Sequence, residues 1–399
     1  MNSEPEEFIE SLIEEVKKDI VIEGNFASIV DPVFHIRRNR VNAEFCKTLI
    51  RLKRDPVLVN KLLNTLVNTQ NPDGSWNEIH PNYNQPSALI TAFIGEALLL
   101  GDHEEMQRMQ SLENAKNYVL SQEKKPGYFL KSAHYNADHL NVDASCGAFL
   151  ALYGKSFSDT ACLDAARRAA ERICSNQING AYPYATDKGN YPYPFSIPCI
   201  HYQGVTMYYL IKIQQVLNEP WIHQSLMDAA HWLANVQRSD GKFDWSKSGL
   251  MFAYHLSGAY AFAYSAFSYV AKFERKYEPH ASLCRDQIIR NTRYLVLRWE
   301  SDPWYTILWS PIPVIQTAGL GKFPLKEKVF RYGYGMYREV ARRRYSDHVD
   351  DRFFSLLCTI MRISPSTVDP LNNYKDIFMT SEVLDCLSYS LGMDEEYAV

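Results

Sequence analysis

The chain repeats itself. A helical stretch ending in Gln, then a short turn, a Gly and an aromatic residue occurs four times: Gln70 to Gly74 to Trp76 in QNPDGSW, Gln122 to Gly127 to Phe129 in QEKKPGYF, Gln177 to Gly180 to Tyr182 in QINGAY, and Gln237 to Gly241 to Phe243 in QRSDGKF. The glutamines lie 52, 55 and 60 residues apart. A helical hairpin of that length cannot bury its apolar face alone, so successive copies must stack. The helix before the first turn carries Leu58, Leu62 and Leu66 on one stripe, and the helix before the fourth carries Leu226, Ala229, Ala230 and Leu233. After each turn comes a second helix, in PSALITAFIGEALLL, NVDASCGAFLALY, IHYQGVTMYYLIKIQQVL and HLSGAYAFAYSAFSYVAKF, so apolar that it must be buried on more than one side. Outer and inner helices therefore alternate. Asp73-Gly74 and Asp240-Gly241 suit a turn needing a permissive backbone, with the aromatic two residues on anchoring it.

Residues 4–20 and 38–54 read as a further pair before the first copy, and 282–298, 325–344, 349–363 and 374–391 as helices after the fourth, about six or seven pairs in all. Pro311, Pro313, Pro365 and Pro370 break helices and mark long connections. Unequal spacings and inserted aromatic loops favour a closed ring, its inner helices around a shared cavity, over an open superhelix. The expectation is an all-α single domain over 1–399, an α/α toroid with 1–54 as an N-terminal helical pair and 55–391 as the main repeated-hairpin region.

The formal charge of -4, from 42 basic and 46 acidic residues, supplies no global field for nucleic acid or anionic lipid. The acidic, amphipathic opening MNSEPEEFIESLIEEVKKDIV lacks the basic start of a signal peptide, and no run of 18 apolar residues occurs, so neither export nor membrane spanning is expected. The eight cysteines are scattered without a CxxC, which reads as free thiols in a reducing, cytoplasmic setting. There is no G-x-G-x-x-G and no phosphate-binding Gly-Lys loop, and no cofactor is expected.

Chemistry-bearing residues cluster at helix starts. His134 to Asp143 gathers two histidines and two carboxylates before an apolar helix, so that Asp138 and His139 in the loop and Asp143 in the first turn form an acid/base combination; the competing reading has Asp138 or Asn141 capping that helix. HYNADH lacks the spacing of a zinc helix, and no metal is expected. His201 in SIPCIHYQG stands at another inner-helix start, followed by Tyr202 and Tyr208; His80 with Tyr83, and Tyr254 with His255, extend a candidate substrate rim. Asp350 and Asp351 are adjacent, hence about 100° apart on a helix, so one can cap while the other faces the cavity; His348 is a candidate proton relay, and Arg342 with Arg343 and Arg344 a candidate anion or ion-pair partner. The basic run from Arg37 through Lys47 and Arg51 to Arg54 reads as a solvated helix face or an anion site.

The Gln-x-x-Asp-Gly-Ser-Trp form of Gln70 to Trp76, with its weaker copies, resembles the α/α-toroid proteins, particularly the terpenoid-cyclase and prenyltransferase-like group, over about residues 55–275. In the cyclases an Asp-x-Asp-Asp motif opens an inner helix and its middle Asp is the acid. The resemblance therefore implies Asp350 as acid, oriented by His348 and Asp351, although His348-Val349-Asp350-Asp351 keeps only the last two carboxylates and Asn141-Val142-Asp143-Ala144 only one. No equivalent of the prenyltransferase zinc pattern can be placed. A second resemblance, to sugar-active toroids, runs through YPYPFSIPCIHYQGVTMYYL and implies saccharide contacts from His201, Tyr202 and Tyr208. The first reading is acid-initiated cyclisation of an isoprenoid in a central aromatic cavity. The alternative is saccharide lysis, epimerisation or hydrolysis through Asp138, His139, Asp143 or His201, and a third is a toroid that binds a glycan, peptide or partner without turnover.

Overall fold

A computed structural model describes residues 4–31, 35–80, 83–101, 106–133, 136–187, 199–243, 256–291 and 377–396. The expected helices at 325–344 and 349–363 lie outside these. Twelve helices are described: α1 Glu4–Lys17, α2 Asn39–Arg51, α3 Pro56–Asn68, α4 Ala88–Leu100, α5 Met106–Ser121, α6 Leu140–Phe157, α7 Thr160–Ser175, α8 Ile200–Leu217, α9 Pro220–Asn235, α10 Leu256–Ala271, α11 Glu278–Asn291 and α12 Ile377–Glu396. Four two-stranded antiparallel ribbons accompany them: β1 Ile20–Glu23 with β2 Phe26–Ile29, β3 Trp76–His80 with β4 Tyr83–Ser87, β5 Glu123–Lys125 with β6 Tyr128–Phe129, and β7 Asp138–His139 with β8 Ala185–Asp187.

The even-numbered helices close a ring, α2 against α4, α4 against α6, α6 against α8, α8 against α10, α10 against α12 and α12 back against α2. The odd-numbered helices pack outside, α1 covering α12 and α11 covering α10. This is an all-α α/α toroid, with six hairpins among the described residues. Its radial order follows from composition. On α4 every residue from Ala88 to Leu98 is buried, because the helix has no polar stripe to present to water. On α7 only Cys162, Ala165, Ala166, Ala169, Ala170 and Ile173 are buried, one inward stripe. Local signals set the helix starts: Asp55 accepts from the Leu58 N–H ahead of Pro56, and Asp159 accepts from the Cys162 N–H.

The repeated turn has one construction. Gly74, Gly127, Gly180 and Gly241 have φ of +87°, +74°, +84° and +85°. A Cβ on the first three would stand 2.4, 2.2 and 2.4 Å from a backbone carbonyl of the next outer helix, at Asn114, Arg168 and Asp228. Glycine is thus required twice over, for its dihedral and for the close approach. The side chains of Gln70 and Gln177 each bond the carbonyl of that glycine and a carbonyl of the next outer helix, Ser111 or Ser225. The following aromatic is buried, and its N–H donates to a side chain in the first turns of the next inner helix: Trp76 to Thr91, Phe129 to Asp143, Tyr182 to Gln203 and Phe243 to Tyr260.

Connections from outer to inner helix are long (18–38, 69–87, 122–139, 176–199, 236–255), and those from inner to outer short (52–55, 101–105, 158–159, 218–219, 272–277). Each outer helix runs back along an inner one, so the long connections gather at the end where the inner helices begin. That end is the mouth of the ring.

Candidate active site at the mouth of the ring

Charged residues occupy the ring axis in layers. On α2, Arg40, Glu44, Lys47 and Arg51 stand at the second, sixth, ninth and thirteenth positions, a single helical stripe. The same levels carry His201, Tyr208 and Lys212 on α8, and Phe378, Glu382, Asp385 and Tyr389 on α12, with Glu96 at the ninth position of α4. The lower levels are knotted together. Lys47 Nζ lies 2.9 Å from Asp385 and 3.2 Å from Glu96; Arg51 lies 2.6 Å from Asp385 and 2.9 Å from Glu96; Lys212 pairs with Glu96. The ammonium of Lys212 also sits within 4.2 to 4.9 Å of the ring centroids of Tyr208, Tyr209 and Tyr389. Burial, reinforced by Lys47 and Arg51 and opposed by Glu96, lowers Lys212 to about 8; on Glu96, the three cations outweigh burial and lower it to about 2.

Above this plug, nearer the mouth, Arg40 bridges Glu44 at 2.6 Å and Glu382, and Ser381 donates to Glu44 at 2.7 Å. His201 Nε2 is 4.0 Å from Glu382 Oε1. Gly258 permits this meeting, since a Cβ there would fall 2.3 Å from Glu382 Oε2 and 3.2 Å from His201 Cε1. The levels from Arg40 to Lys47 span about 10 Å at 1.5 Å per residue. Among the described residues the expected aromatic hollow is instead a polar floor at the level of Glu44 and Glu382, closed below by ion pairs.

The wall at the mouth is a run of rings. His139, the N-cap residue of α6, contacts Tyr184 at 4.6 Å between centroids; Tyr184 contacts Tyr202 at 4.2 Å, Tyr202 contacts His201 at 4.9 Å, and His201 contacts Phe262 at 5.5 Å. The two imidazoles are buried and the two tyrosines half-buried. Burial, with Lys131 adding repulsion, lowers His139 to about 3, and it stays neutral at ordinary pH.

The structure brings together His139, His201 and Tyr202 from the sequence-based candidates and adds Tyr184, Glu382, Arg40 and Glu44. Tyr208 lies two turns below His201, where its hydroxyl donates to Asp385 at 3.2 Å. Asp143 holds the Phe129 N–H at 2.8 Å, in the place that Thr91 and Gln203 take in neighbouring repeats, and burial raises its carboxyl well above the ordinary range. Asp138 pairs with Arg172 and accepts from Thr186. His80 and Tyr83 are paired at the end of the β3–β4 ribbon. Asp350, Asp351, His348, Arg342, Tyr254 and His255 lie outside the described residues. The reading of Lys47 and Arg51 as a solvated face is corrected: both point into the core and are paired there. No cluster of three or more metal-ligating side chains occurs among the described residues, and none of the described helices is long and apolar enough to cross a membrane. The described cysteines are free.

Fold and site together define an α/α toroid with a polar, imidazole-bearing mouth. Similar solved structures include a cellobiose 2-epimerase from Bacillus thermoamylovorans (TM-score 0.53, 11% identity, 71% of this chain and 87% of that one). They also include an inactive variant of an α-1,6-mannanase from Salegentibacter sp. in complex with α-1,6-mannotriose (0.53, 12%, 73% and 87%) and a D-mannose isomerase (0.52, 13%, 73% and 88%). No family model matches the sequence, and no curated protein matches it. At such identities the likeness establishes the fold. The similar structures are sugar-active toroids, in line with the second resemblance; the terpenoid-cyclase expectation finds no support in them or in the charged ring axis.

Proposed function

We propose that the chain is a carbohydrate-active enzyme of the epimerase or isomerase type. A neutral sugar lies against the Tyr184–Tyr202 faces beside His139, and His201 moves a proton at the carbon next to the sugar carbonyl. The observation that carries this reading is the meeting of two imidazoles from different hairpins, His139 and His201, through two half-buried tyrosines at the open end of the ring. Aromatic faces accept the apolar face of a sugar ring, while nearby polar groups fix its orientation. Glu382 beside His201 stabilises an imidazolium there, which makes His201 the base, while His139, held neutral by burial, offers the sugar a hydrogen bond. Asp138 and Asp143 are engaged with Arg172 and the Phe129 N–H, which favours imidazole chemistry over a pair of carboxylates flanking a glycosidic bond. The fold shared with an epimerase and an isomerase of sugars supports the reading by analogy.

The test is incubation with D-mannose, D-xylose and cellobiose in D2O, following loss of the C2 proton signal by NMR, with α-1,6-mannotriose assayed in parallel for reducing ends. Exchange at C2 is expected, with His201→Asn slowing it by about 10²- to 10⁴-fold. No exchange with any sugar, or an undiminished rate in His201→Asn, overturns the proposal; reducing ends released from mannotriose without C2 exchange would replace it with hydrolysis.

A further inference from the structure

The repeat glycines mark equivalent places on the outer helices: Gly74 rests on Asn114, Gly127 on Arg168, Gly180 on Asp228 and Gly241 on Leu283. One turn further along lie Tyr118, Arg172, Trp232 and Gln287. Among these four, the cation on α7 stands out. Arg172 reaches past the Tyr128 ring, 5.5 Å from its centroid, to pair with Asp138, with Thr186 Oγ1 at 3.3 Å and Asp143 Oδ2 at 3.6 Å. Thr186 donates to the same Asp138 oxygen at 2.6 Å.

Asp138 and Thr186 belong to β7 and β8, which come from different hairpins. Asp138 immediately precedes His139, and Thr186 follows Tyr184 by two residues. The ribbon pairs Asp138 with Asp187 and His139 with Ala185, with an irregular register between the two. So short a ladder is not self-supporting. A charge-assisted junction tied to an outer helix gives it a fixed seat.

We propose that Arg172, Asp138 and Thr186 form a positioning clamp that holds His139 against Tyr184 and thereby sets the shape of the sugar platform. This rests on the saccharide reading given above. The clamp makes Asp138 a positioning residue, acting on substrate only through His139. It also accounts for an arginine at a place where the neighbouring repeats carry Tyr118, Trp232 and Gln287.

The test uses Thr186→Val, which keeps shape and removes the hydroxyl, Thr186→Ser, which restores it, and Arg172→Met. Hydrogen exchange is read by mass spectrometry over 136–140 and 183–187, with 377–391 as an internal control. Thr186→Val and Arg172→Met are expected to speed exchange in both segments by up to about tenfold, with Thr186→Ser near wild type and the control unmoved. In the D2O assay with D-mannose or cellobiose, Thr186→Val should raise KM about three- to tenfold with kcat within about twofold. Unchanged exchange in Thr186→Val, equal acceleration in Thr186→Ser, or faster exchange without a KM change overturns the clamp as a positioning device. Should Arg172→Met fail to fold, the Thr186 pair decides alone. If the wild type acts on no sugar, the saccharide reading fails, while the exchange data still judge whether the junction holds the ribbon.

Discussion

Removing Glu96 should harm this protein far more than removing Lys212, although the two are partners. Glu96 faces three buried cations, Lys47, Arg51 and Lys212, and Asp385 is the other carboxylate bonded to this lower cluster. Among the described residues three positive charges meet two negative ones, and Lys212, which burial together with Lys47 and Arg51 lowers to about 8, is the least firmly held of the three. Glu96→Gln leaves three cations against one carboxylate, and breaking a buried pair in this way costs about 3–5 kcal/mol. At roughly 2.1 cal/mol/K per residue, unfolding this chain carries an entropy of about 0.8 kcal/mol/K, so Tm should fall by about 4–6 °C. Lys212→Met leaves two charges of each sign and should change stability by less than about 1 kcal/mol, and Lys212→Met should recover most of the loss when added to Glu96→Gln. Calorimetry and urea titration at pH 7 read both quantities. The pH profile gives a second check. The folded value of Lys212, about 8, lies below its ordinary 10.5, so between them the unfolded chain binds more protons and this group's contribution to stability rises with pH. The rise is about 3 kcal/mol in all, and Lys212→Met should flatten it from pH 8 upward. Equal losses from the two single substitutions would refute the charge accounting.

Gly127→Ala should cost several kcal/mol, whereas Gly24→Ala, with φ +60° and no atom within 4 Å of the added Cβ, should show only the left-handed backbone strain of about 1–2 kcal/mol; urea denaturation separates them. His139 is held neutral to about pH 3 while the unfolded imidazole takes a proton near 6.5, so stability is lost as pH falls through that window, and acid unfolding should be less steep in His139→Asn. Gly258→Ala drives a methyl into Glu382 and should lower kcat for the sugar that proves active by at least about tenfold, measured in the D2O assay, while Tm moves by only a few degrees.

The ring was legible because its construction is local. Gln, Gly and aromatic recur at each outer-to-inner turn, and uniformly apolar stretches such as that holding Ala88 to Leu98 can exist only as buried helices. The axial ion pairs were hidden because partners such as Lys47 and Asp385 lie 338 residues apart. Two signals pointed to them nonetheless: the stripe of Arg40, Glu44, Lys47 and Arg51 on one helical face, and single charges, Glu96 and Lys212, within otherwise apolar helices. His139, His201 and Tyr202 were found from their places at helix starts. Tyr184 carries no such local signal, since its role depends on β7 pairing with β8 across two hairpins.

The most direct measurement is a crystal structure with whichever sugar undergoes C2 exchange, using His201→Asn to hold the substrate intact. The sugar ring should lie on Tyr184 and Tyr202 with its C1–C2 end within hydrogen-bonding reach of His139 and Asn at position 201. A sugar seated elsewhere on the ring, or at the mouth with that end turned away from both positions, would contradict the proposed site.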